Sequence, residues 1–327
     1  MSEVEAGEPS QALTAPLRMA EMMGLSPWRE RWRQTLITLR GEDDVPPSRF
    51  DASSLRMLRP AMGVALWRGR PFVPRQVLLT NLFNHRQTPT DEGWSVRRTQ
   101  VEDFRGRDLT YDSHNGTDLS IPVGNTLLAA APGRVVLVVS EFNRGGLKVF
   151  IDHGRGLMTG CAHLARALVQ VGDVVRRGQP IARTGYSGLD ALVTFPFGVP
   201  HVHFNTWLNG EPVDPFARGD EGTLWRGGEE PQPNEGLGDE ALEDSVFDPA
   251  AVEAAIEGSR TPRVRDALHA EPDPQRRAAL TLIAANYYPT RFPEPPALYR
   301  DPWPREARLD LPFARSAFDG AVFVDEL

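Results

Sequence analysis

Apolar and polar positions divide this 327-residue chain into three textures. Between about Asp103 and Phe216, short apolar runs alternate with glycine turns. Their spacing predicts strands at Thr126–Ala130, Arg134–Val139, Leu147–Asp152, Met158–Leu164, Ile181–Thr184 and His201–Leu208. Gly124, Gly133, Gly145-Gly146, Gly154, Gly172, Gly178 and Gly185 punctuate them. Many short strands joined by glycine turns predict an antiparallel β-sheet. Asn209-Gly210, after the last run, is the signal of a tight hairpin.

The flanks read differently. Residues 1–15 are small, polar and acidic and are expected to lack structure. From Pro16 to Arg40 the pattern is helical, first with Leu17, Met19, Met22 and Met23 on one face. A second start is expected at Ser26 as N-cap with Pro27 at the first helical position. Trp28, Trp32, Leu36 and Leu39 then recur at helical spacing, which predicts a packing face. Residues 41–100 give mixed signals, a β-like run at Gln76–Leu79 and no evident chemistry; His85 is a lone histidine in a polar loop. Residues 219–248 are acidic, with Arg226 the one basic residue, and read as a linker. Asp248-Pro249 and Asp273-Pro274 pair an N-cap with an N1 proline, predicting helices over Ala250–Ile256 and to about Asn286. Residues 288–327 are proline-rich and read as irregular. The expected class is α+β: an antiparallel β domain at 101–218 between an N-terminal helical region (1–100) and, past the acidic linker 219–248, a helical and proline-rich region (249–327).

A net charge of −8 argues against a nucleic-acid partner, which selects for basic patches. Cys161 is the only cysteine, so no disulfide forms within the chain. No apolar run approaches the ~18 residues of a membrane span. The acidic N-terminus lacks the positive region of a secretory signal, and a cytoplasmic location is the default expectation.

The chemistry gathers on histidines. In His201-Val202-His203-Phe204, alternation sends both imidazoles to one face and Val202 and Phe204 to the other. His114-Asn115-Gly116-Thr117-Asp118 is a loop entering a strand. There a histidine and a carboxylate can converge on one metal, or form an Asx turn with an exposed histidine. His163 ends a strand in Cys161-Ala162-His163-Leu164, and alternation puts Cys161 and His163 on one face. His153, at a strand end, reads as structural.

His-x-x-x-Asp, then Ala-His-Leu, then His-x-His-Phe, in this order within about ninety residues, resembles the lysostaphin/LytM-type zinc metallopeptidases. Ala129-Ala130-Ala131-Pro132-Gly133-Arg134-Val135-Val136 resembles that family's first hairpin, Gly172-Asp173-Val174-Val175-Arg176-Arg177-Gly178-Gln179 its Gly-Asp-x-Val-x-x-Gly-Gln turn, and Gly210–Pro215 the end of its domain. The resemblance covers roughly Ser113–Phe216. It implies Zn2+ held by His114, Asp118 and His203, with His163 and His201 as the two non-ligand histidines that move protons and stabilise the oxyanion. Three protein ligands with an open fourth position is the layout of a catalytic zinc. The implied function is a zinc-dependent endopeptidase acting on short peptide bridges of bacterial peptidoglycan. The alternatives are a non-catalytic LytM-like module that binds or activates a partner, and an intracellular zinc hydrolase acting on a non-wall peptide.

Three features depart from the family pattern. Cys161 stands where tyrosine is usual, and Asn205 where glutamate is common, on the face of His203. The segment Leu189–Pro200, with Phe195-Pro196-Phe197-Gly198, is long and leads directly into His201. It is expected to wall the substrate groove and narrow specificity; deleting Val193–Gly198 without changing preference among cross-bridge peptides would sink that expectation.

Overall fold

The computed structural model describes residues 13–86, 88–293 and 297–327. The expectation of disorder for residues 1–15 therefore falls, up to residue 12, outside the described residues. The strands are β1 (Gln76–Asn81), β2 (Thr117–Ser120), β3 (Thr126–Leu128), β4 (Gly133–Glu141), β5 (Gly146–Asp152), β6 (Leu157–Ala167), β7 (Val174–Val175), β8 (Pro180–Thr184), β9 (His201–Leu208), β10 (Glu211–Pro212), β11 (Pro233–Asn234), β12 (Leu311–Ala314) and β13 (Gly320–Phe323). The helices are α1 (Met19–Met22), α2 (Trp28–Arg40), α3 (Pro60–Trp67), α4 (Leu189–Thr194), α5 (Pro249–Gly258), α6 (Pro262–His269) and α7 (Pro274–Tyr287).

One sheet runs in the order β13-β1-β2-β9-β6-β5-β4-β7, with β10 beside β9 and β8 linking β6 to β3. Only β13–β1 is parallel within it; every other pair is antiparallel. The alternation that predicted the strands also divides the core. Val202 and Phe204 of β9 pack on one side with Leu119, Val149, Ile151, Cys161 and Leu164. Trp207 packs on the other side with Phe150, Met158, Leu137 and Val139, under Val252 and Ile256 of α5 and Leu282 and Ile283 of α7. His201, His203 and Asn205 share that second face with Trp207. The metal candidates thus lie on the sheet face that the C-terminal helices cover farther along. The β9–β10 hairpin turns at Asn209 and Gly210, both at positive φ (55° and 88°), as a two-residue turn requires.

Four expectations are corrected. The acidic stretch is no free linker: Trp225 is fully buried, stacks on Phe204 (5.7 Å, 22°) and meets Phe216 edge-on, and β11 pairs with β12. Two apolar residues, Leu224 and Trp225, outweigh the surrounding charge. The proline-rich end is not all irregular either, since it supplies β12 and β13, and Phe313 is completely buried.

The α2 expectation fails most fully. Its cap residue is Pro27, with no side-chain cap at Ser26. Trp28, Trp32 and Leu39 are 69%, 62% and 53% exposed, whereas Arg31 and Gln34 are buried. The guanidinium of Arg31 donates to Ser26 O (2.9 Å) and Ser140 Oγ (2.7 Å), and Gln34 Oε1 accepts from the Phe142 backbone N–H (2.7 Å). Hydrogen-bonding groups at the end of β4 need partners more than the tryptophans need cover. Finally, α3 and α6 were not anticipated at all, although each opens with a proline at its first turn.

Candidate metal centre

The loop before β2 and the middle of β9 bring three atoms together. His114 Nε2 lies 3.0 Å from Asp118 Oδ1 and 3.1 Å from His203 Nδ1, and His203 Nδ1 lies 2.9 Å from Asp118 Oδ1. Register explains the meeting: Asp118 stands opposite His203 across the β2–β9 pair. Gly116 lets the loop close, because a Cβ there would stand 2.9 Å from the His203 ring and 2.8 Å from Phe204 O. All three side chains are buried.

Hydrogen bonds around the cluster define its chemistry. His114 Nδ1 is 2.6 Å from Leu82 O, and a carbonyl only accepts, so Nδ1 carries a proton and Nε2 is the nitrogen turned into the cluster. Nε2 faces a carboxylate oxygen and a second imidazole nitrogen, a grouping of atoms that a metal ion would bridge. Asn81 Nδ2 donates to the other oxygen, Asp118 Oδ2 (2.8 Å). Burial pushes the Asp118 carboxyl up, but the imidazoles of His114 and His201 outweigh it and hold the group well below the usual carboxylate range. Two imidazole nitrogens and one carboxylate oxygen suit zinc. In a tetrahedron with bonds of about 2.0–2.2 Å, ligand atoms stand roughly 3.3–3.6 Å apart, so the triangle here would open by a few tenths of an ångström to take the ion. The donor set fits the metal.

His163 and His201 stand beside this triangle, with ring centroids 4.7 Å apart. His163 Nδ1 donates to Ser187 O (2.8 Å) and His201 Nδ1 to Val199 O (2.8 Å), so Nδ1 is engaged in both rings and Nε2 is the nitrogen left for proton exchange. His201 Nε2 is 3.5 Å from Asp118 Oδ1. Burial, helped by neighbouring His201, holds His163 well below the ordinary histidine pKa. His163 has φ +60°, costly for a residue with a side chain. It sits where β6 stops pairing with β9, at Ala162, and starts pairing with β8, at Leu164. This switch corrects the Cys161 expectation. Cys161 pairs with Phe204 and lies in the apolar core, off the His203 face, and the turn at His163 breaks the simple alternation. Burial pushes the Cys161 thiol up to about 12.

The long segment before His201 begins as α4. Its Asp190 Oδ2 lies 3.7 Å from His163 Nε2, and Phe195 packs edge-on against Trp67 of α3 (5.2 Å). Leu192, Val193, Phe195 and Phe197 are exposed, giving an apolar rim beside the histidines. His153 is structural: it is completely buried, with Nδ1 on Pro132 O and Nε2 on Thr159 Oγ1. His85 contacts the buried Asp214 (2.8 Å) away from the centre.

Sequence reasoning missed Asn81 and Leu82, which hold Asp118 and His114 from the region that had shown no chemistry. It also missed Tyr186, whose ring lies 5.0 Å from His201 and 5.3 Å from His163. An aromatic between two glycines, in Gly185-Tyr186-Ser187-Gly188, was the available signal.

Residues 112–215 match the model of peptidase family M23. The likeness to that family is confined to this stretch, about a third of the chain. Peptidoglycan DD-endopeptidase ShyA of Vibrio cholerae is 38% identical over 128 residues, covering 38% of this chain and 28% of that protein. The murein hydrolase activator EnvC of Escherichia coli is 39% identical over 124 residues, covering 37% of this chain and 27% of that protein. The chain thus spans less than a third of the length of either relative. Among solved structures, a zinc-containing peptidase from Vibrio cholerae matches this chain at 29% identity and a TM-score of 0.31, over 45% of this chain and 39% of that one.

Proposed function

We propose that the M23 domain is a zinc-dependent endopeptidase that hydrolyses short peptide bridges of bacterial peptidoglycan. The observation that carries this is the triangle of His114 Nε2, Asp118 Oδ1 and His203 Nδ1 beside the imidazoles of His163 and His201. The likeness to a protein named as a peptidoglycan DD-endopeptidase supports the substrate class. A zinc ion held by the three residues would polarise the scissile carbonyl and bring the pKa of a water molecule towards about 7. His163 and His201 accept a proton at Nε2 and, once charged, donate it to the oxyanion or the leaving amine. Leu82 O, Ser187 O and Val199 O fix the tautomers of His114, His163 and His201 before substrate arrives.

The likeness to a protein named as an activator supports a second reading, in which the domain binds a partner and cuts nothing. Digestion of purified peptidoglycan and of a peptide panel, with products identified by mass, separates the two. His203→Ala is expected to lose zinc and cleavage together. His201→Ala is expected to keep zinc and lose turnover by about 10²–10⁴-fold. Zinc uptake without cleavage of any substrate would sink the endopeptidase reading in favour of the activator.

A further inference from the structure

We infer that Tyr287, in the last turn of α7, is a positioning residue for the metal loop and acts through Asn205. This rests on the zinc reading of His114, Asp118 and His203. Asn205 is completely buried, two residues beyond His203 on the same face of β9. Its Nδ2 donates to Asn115 O (2.9 Å) and lies 3.0 Å from Asn115 Oδ1. The Tyr287 hydroxyl lies 2.8 Å from Asn205 Oδ1. The directions are fixed by valence. A backbone carbonyl only accepts, so the amide nitrogen must face Asn115; the amide oxygen must then face Tyr287, whose hydroxyl donates.

Asn115 follows the candidate ligand His114 directly, and at Gly116 beyond it there is no room for a Cβ beside the His203 ring. A shift of a few tenths of an ångström in this loop moves His114 relative to Asp118 and His203. Tyr287 is itself held: its ring packs edge-on against Phe150 (5.4 Å) and lies 6.2 Å from Trp207, with Lys148 Nζ 4.6 Å over it. The chain of contact therefore runs from the C-terminal helical core through Tyr287 and Asn205 to the loop between two ligands. Glutamate at position 205 has no donor for Asn115 O and could not complete this link. Asparagine at 205 and tyrosine at 287 make one device.

Zinc affinity of the full chain, measured by competition with a chromophoric chelator, tests this. Tyr287→Phe keeps the ring and removes the donor, and is expected to weaken zinc binding about 10-fold, within the range for groups that orient metal ligands. Asn205→Asp, which loses both amide donors, should weaken it at least as much, and the double variant no more than Asn205→Asp alone. Tyr288→Phe is the control: its hydroxyl goes to Glu141 (3.1 Å), so it should alter zinc affinity less than two-fold. In the zinc-free chain, the Asn115 and Gly116 amides should exchange faster in Tyr287→Phe while the central strands stay protected. A folded Tyr287→Phe that binds zinc within two-fold of wild type overturns the positioning role, as does an equal loss in Tyr288→Phe. A wild-type chain that takes up no zinc removes the underlying metal reading, and the proposal with it.

Discussion

At the scale of single residues, the centre depends on groups that are not candidate ligands. Asn81 occupies the Asp118 oxygen that points away from the triangle, which leaves the other oxygen to complete it. Asn81→Ala should therefore weaken zinc about 10–100-fold, with little change in the urea midpoint, as read by chelator competition and denaturation. The candidate ligands were legible because their spacing is local: four residues from His114 to Asp118, and a strand pair at His201 and His203. Asn81 and Leu82 were not, because they act from more than thirty residues away and Leu82 acts through a carbonyl that every residue has. His153 carries a pH consequence. Burial above all pushes its pKa down to about 3, against about 6.5 in an unfolded chain. The unfolded state then binds a proton that the folded state refuses. The stability from neutral His153 is complete above about pH 6.5 and is lost as pH falls towards 3, at roughly 1.4 kcal/mol per unit. In urea unfolding between pH 7 and pH 4, His153→Gln should show a shallower loss than wild type; identical slopes would show that His153 does not titrate on unfolding.

Elements follow the same division between local pattern and distant demand. The longer strands of the sheet were legible from their short apolar runs, whereas β7, β10 and β13, of two to four residues, were not; the two proline-started helices α5 and α7 were legible because Asp248 and Asp273 do cap them. Helix α2 was read inside out. Periodicity located its apolar stripe, but nothing in the local pattern shows that Ser140 and Phe142 need Arg31 and Gln34. Substitutions along this helix should invert the usual ranking. Arg31→Met and Gln34→Leu should each cost about 1–3 kcal/mol by leaving buried groups unpaired. Trp28→Ser and Trp32→Ser should stay within about 0.5 kcal/mol. Denaturant midpoints of the four variants check this, and a tryptophan loss larger than the arginine loss would reverse the burial assignment.

For the whole molecule, the M23 stretch is a segment of a larger fold rather than a module on a string. Phe150, Met158 and Trp207 lie beneath α5 and α7, and β2 has β1 as its outer neighbour. Each large apolar side chain returned to water costs about 1.5–3 kcal/mol, and a few of them equal the 5–15 kcal/mol that holds a domain together. A truncated chain of residues 101–218 should therefore lack cooperative unfolding and bind zinc far more weakly than the full chain, as circular dichroism and calorimetry would show. The sequence texture marked residue 101 as a boundary because the glycine-rich strands begin there; what holds them was invisible, since it lies in contacts across more than two hundred residues.

The parallel pairing of β13 with β1 also sets an order in time. Residues 76–81 leave the ribosome long before Gly320–Phe323, their partners in the sheet. Until then β1, which carries Asn81 and leads into Leu82, has an open edge of unpaired backbone. Assembly of the centre is thus deferred until residues 320–323 have emerged, so a nascent chain stalled before residue 320 would have every candidate zinc ligand and no settled place to hold them.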